Sequence, residues 1–88
     1  MNQNSGRLER LQILTEVVRE FKTAILNDIE AKKTGQLVLE VMQKAGDTWL
    51  CDQILHAYTS LNNASLAVQY LDEATRYLHD QIDACMNE

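Results

Sequence analysis

The sequence predicts an all-α fold, a small antiparallel helical bundle with two long helices and a broken middle layer. Three observations carry this expectation. The 88 residues include no proline and only three glycines, so little interrupts a helix interior. Apolar residues make up 45% of the chain, too many for a disordered segment. They recur at spacings of three and four, the period of a helix with one buried side. A chain of this length accommodates one domain, 1–88, with residues 1–6 expected as a flexible lead.

The first helix is expected over about 7–33. Leu11, Leu14, Val18, Phe21, Ile25 and Ile29 fall within about 80° of arc on a helical wheel. Ser5 reads as its N-cap. Lys32 and Lys33 sit where a helix C-terminus favours cations, and Gly35 suits the left-handed position beyond it. Continuing the helix through Gly35 would bury Lys32, Gln36 and Gln43 and turn Val38, Val41 and Met42 outward. A turn near 34–36 is therefore expected.

A second, short helix follows over about 36–45, with Leu37, Val38, Val41, Met42 and Ala45 inward. Gly46 is suited to end it and Asp47 to cap the next. The third helix is expected over about 48–61, with Leu50, Ile54, Ala57, Tyr58 and Leu61 on one side. Asn62-Asn63 signals a turn, with Asn63 capping a fourth helix over about 64–86. Its stripe is Ala67, Tyr70, Leu71, Ala74, Tyr77, Leu78, Ile82 and Cys85. The connections are short, so neighbouring helices should run antiparallel.

The net charge of −5 is unevenly spread. Residues 1–44 carry seven bases and six acids, a net +1, whereas residues 45–88 carry Arg76 against seven acids, a net −6. Nucleic acid is not expected as a partner, because phosphates require a basic stripe. An anionic membrane surface is disfavoured for the same reason, while a partner protein with a basic surface is electrostatically permitted. Apolar runs such as Leu37-Val38-Leu39 are far shorter than the roughly 20 residues of a spanning helix. Residues 1–6 are polar and no apolar stretch follows a basic start, so no secretory signal is expected.

The pattern offers little chemistry. Glycines at 6, 35 and 46 form no phosphate loop, and no Gly-x-Ser-x-Gly or Cys-x-x-Cys occurs. Cys51 and Cys85 are placed about 16 Å apart by helical rise, beyond disulfide reach, and read as reduced thiols of a cytoplasmic protein. Asp52 with His56, and His79 with Asp83, lie one helical turn apart, but two ligands fall short of a metal site. No catalytic, cofactor or metal residues are assigned.

The first helix holds the most informative feature. Beyond its stripe it carries Ile13, Val17 and Ala24 on one flank and Leu8 and Leu26 on the other. Its apolar arc is then roughly 220° wide, more than one neighbour can cover. Either the other helices share it, or part of it meets another chain, a second copy or a different protein. Trp49 projects off its own stripe, either filling the gap at the 46–47 turn or anchoring an interface. Ile13, Val17, Ala24, Leu8, Leu26 and Trp49 are the candidate interface.

The expected function is a small acidic protein–protein interaction module without catalytic activity: an adaptor, inhibitor or chaperone-like subunit, in a homo-oligomer or a hetero-complex. In architecture the pattern resembles small helical secretion chaperones, immunity proteins and regulators of bacteria and phage, though no motif ties it to one of those families. The alternatives are a purely structural homo-oligomeric subunit and a metal- or ligand-binding bundle using His56, His79 or Cys51.

Overall fold

Four helices alternate in direction: α1 (Gln3–Asn27), α2 (Ala31–Ala45), α3 (Thr48–Thr59) and α4 (Ala64–Met86). The computed structural model describes residues 3–87, with side chains from Gly6 onward. The start of α1 falls inside the stretch expected as a flexible lead; Met1 and Asn2 lie outside the described residues. Ser5 is within α1 rather than capping it, and its side chain is also outside the described set.

The first turn is where local sequence misleads. α1 ends at Asn27 rather than near 33, and α2 begins at Ala31 rather than near 36. The reversal uses Asp28 and Glu30, both left-handed at φ 52° and 49°, although neither is glycine. Ile29 N donates to Ala24 O, and Thr34 N to Glu30 O, closing one helix and starting the next. Ile29, expected in the core stripe, therefore sits exposed in the turn.

Gly35 lies inside α2 and is buried. A Cβ there would stand 2.7 Å from Tyr58 Cδ1 and 2.8 Å from Phe21 Cζ. Its role is to let α2 approach the rings of α1 and α3, not to end a helix. Packing outweighs the roughly 1 kcal/mol helix penalty of glycine. With Gly35 counted as a core position, Ala31, Gly35, Val38 and Met42 follow one 4-3-4 stripe.

The other ends match their chemistry. Gly46 is left-handed at φ 79° and donates to Met42 O. Asp47 Oδ1 accepts from Leu50 N at 3.0 Å, and Asn63 Oδ1 accepts from Leu66 N at 3.2 Å. Each satisfies an orphan N–H of the helix it starts. The middle layer breaks at Gly46-Asp47, and α3 doubles back along α2.

Among the described residues α1 packs against α2 and α4, and α3 against the same two, while the diagonal pairs stay apart. The core is Val18, Phe21 and Ile25 of α1, Val38 and Met42 of α2, Leu50, Ile54 and Ala57 of α3, and Ala67, Leu71, Ala74 and Leu78 of α4. The α4 alanines allow α3 and α1 to come close. Lys22 Nζ donates to Asp72 Oδ1 at 2.8 Å and Arg7 Nη2 to Gln81 Oε1 at 3.2 Å, which set α4 antiparallel to α1. The bundle measures 45 × 21 × 20 Å, with its long axis near the length of α1. No helix among the described residues is long and apolar enough to cross a membrane.

Candidate functional site

The wide apolar arc of α1 is divided between two neighbours. Leu8, Val17 and Ala24 are half-buried, covered within the chain. Ile13 remains 53% exposed and Leu26 61% exposed. On the wheel these two point to opposite sides of α1, Ile13 toward α2 and Leu26 toward α4. They lie on different faces of the bundle and form no single surface.

Ile13 opens onto a groove between the N-terminal half of α1 and the C-terminal half of α2. Leu11, Leu14, Val41 and Ala45 complete its apolar lining, and its volume is about 340 Å³. Arg7, Arg10 and Lys44 stand around it, with Asp47 at one end. Leu37, one turn before Val41 on α2, is 56% exposed and continues the apolar seam. Leu37 was expected to face inward, as was Ala45, which is also exposed. Both are displaced because the core stripe of α2 is centred on Gly35, Val38 and Met42. Leu37 stands about 100° from Val38 on the wheel. That offset was the available signal for its exposure.

The charges around the groove are unequal in their commitments. Asp47 is fully used: Oδ1 caps α3 and Oδ2 accepts from the Tyr77 hydroxyl. Arg7 donates to Gln81. Arg10 and Lys44 make no ion pair or side-chain hydrogen bond among the described residues. The groove thus presents two uncommitted cations beside an apolar floor.

The α3/α4 face is built differently. Trp49 lies against Tyr77 with ring centroids 4.6 Å apart, and it is 43% exposed. It braces the α2–α3 turn against α4 and does not share a surface with Ile13. The Tyr77 hydroxyl donates to the Asp47 carboxylate, which raises its pKa above the ordinary 10.0, with burial and the carboxylate charge adding to the effect. His56 stacks on Tyr70 at 5.1 Å. Beyond these rings a mostly polar groove of about 470 Å³ is lined by Gln53, Gln69, Glu73 and Arg76, with Leu66 37% exposed in it.

The remaining candidates are dispersed. Asp52 and His56 stay on α3, and His79 lines a shallow α1/α4 furrow with Thr15, Lys22 and Asp72. No three His, Cys, Asp or Glu side chains gather as a metal site among the described residues. Cys51 is half-buried near Met42 and Asp47, Cys85 is buried, and no disulfide joins them. No family model matches this chain, and no curated protein or solved structure matches it either.

Proposed function

We propose that this chain is a small acidic protein–protein interaction module without catalytic activity, acting as an adaptor, inhibitor or chaperone-like subunit. One observation carries the reading. Ile13 stays more than half exposed in the groove with Leu14 and Val41, and so does Leu37 one turn before Val41, although the bundle already has a filled core drawn from all four helices. A contiguous apolar seam left outside a completed core is what a partner chain would cover. Burying the exposed parts of these two side chains would contribute on the order of 1 kcal/mol each.

Active sites tend to concentrate perturbed titratable groups in a cleft. Here the shifted groups among the described residues are Tyr77, tied to a helix cap, and Arg19, in a surface pair with Glu16. Both are explained by local structure.

The test is site-specific photo-crosslinking in cells that make the protein. Crosslinkers at positions 13 and 37 should give the same discrete adduct, and one at Gln69 on the α3/α4 side should not. An adduct containing only this chain would support the homo-oligomeric alternative. No adduct at 13 and 37, or an equal yield at 69, would remove the seam from consideration.

A further inference from the structure

Resting on the interaction reading above, we propose that the α1/α2 groove takes an acidic amphipathic helix of a partner protein. Shape, length and charge each point to this occupant. The seam between two antiparallel helices is a furrow into which a third helix lays one apolar side. On α2 the apolar lining, with Leu37 one turn before it, runs from Leu37 to Ala45, about 12 Å. That matches about two turns of helix, with two apolar anchors at heptad spacing. Ile13 and Leu37 are the exposed apolar residues that would seat them.

Charge selects the sign of the partner. Arg10 and Lys44 flank the apolar lining and are uncommitted among the described residues, and Arg7 stands beside them. Asp47, the one acid lining the groove, is held by Leu50 N and Tyr77. A partner carrying Glu or Asp beside its anchors would meet two available cations. A basic helix would meet like charge, which is costly at a desolvated contact. The lining of this groove in a second copy would bring Arg7, Arg10 and Lys44, and as its acid only the committed Asp47.

The experiment uses the full chain and three synthetic helical peptides of about 14 residues. All carry leucine at heptad spacing, with flanks of glutamate, lysine or glutamine. Binding is followed by amide chemical shifts and by calorimetry at low and high salt. The glutamate peptide should shift residues 13, 14, 37 and 41, and bind at least about tenfold more tightly than the lysine peptide. Its affinity should fall as salt rises. Arg10→Glu with Lys44→Glu, both on the surface, should leave the fold intact and reverse the preference.

Equal or tighter binding of the lysine peptide would overturn the proposal. So would shifts confined to α3 and α4. Concentration-dependent shifts at 13 and 37 without peptide would make a second copy the occupant. Binding to phosphatidylserine vesicles through the same residues, with no peptide binding, would make it a lipid surface. Crosslinks at 13 and 37 without selectivity for the acidic peptide would sink the charge assignment alone. Loss of both would sink the interaction reading as well.

Discussion

The α1/α2 and α3/α4 faces differ in chemistry. On α3/α4 the aromatic rings are drawn together, although Leu66 stays 37% exposed there. Tyr77 donates to Asp47 while stacking with Trp49, and His56 stacks on Tyr70. On α1/α2 the outer side chains are aliphatic, and the cations near them, Arg10 and Lys44, are uncommitted among the described residues. An amphipathic ring at a helix–helix boundary can be satisfied within one chain, because its body packs and its oxygen reaches a partner. Exposed isoleucine and leucine have no such option and are satisfied only by another apolar surface. On the reading proposed above, one face closes the bundle and the other is left for a partner.

The largest effect should come from the core beneath both faces. Val18→Asp places a charge at a fully buried site and should cost more than about 4 kcal/mol, giving an unfolded chain by circular dichroism. On the α3/α4 side, Asp47→Ala removes a helix cap and the Tyr77 acceptor together. It should cost about 2 kcal/mol in chemical denaturation. Gly35→Ala should cost about 1 kcal/mol despite the better helix propensity of alanine, because the new methyl meets the Phe21 and Tyr58 rings.

Tyr77→Phe is smaller, about 0.5–1 kcal/mol at neutral pH, since the site is partly solvated. Its pH dependence sharpens the comparison. The folded state holds the Tyr77 proton more tightly than the unfolded chain does. Stability from that hydrogen bond is complete below the ordinary value of 10.0 and is lost as pH rises through the higher folded value. Unfolding free energy of the parent should therefore fall above about pH 10, and Tyr77→Phe should flatten that fall. Identical alkaline slopes would show that the Asp47–Tyr77 contact contributes nothing to closing the α3/α4 face.

Much of the fold was legible because α3 and α4 obey local rules. Asp47, Gly46 and Asn63 each occupy the capping role their chemistry favours. The α4 range and its buried Ala67, Leu71, Ala74, Leu78 and Cys85 follow directly from helical periodicity. The first turn was not legible from propensity. Its left-handed positions are Asp28 and Glu30, while the glycine that resembled a helix stop is a packing notch in α2. Asn27-Asp28 was the available cue, since short polar side chains tolerate left-handed backbone.

The candidate site was half legible. Ile13 stood out from the width of the α1 arc, but its companions Leu37 and Val41 emerge only once α2 is in phase with Gly35. Trp49 belongs to the opposite side, and Leu26 to the α1/α4 boundary, because the arc of α1 is split between two neighbours.

Equilibrium denaturation of the Ile13→Asp, Leu37→Asp double variant most directly tests whether the α1/α2 seam lies outside the core. The bundle should remain folded and cooperative, within about 0.5–1 kcal/mol of the parent, as surface substitutions usually are. Loss of folding comparable to Val18→Asp would place Ile13 and Leu37 in the core and contradict an open docking face.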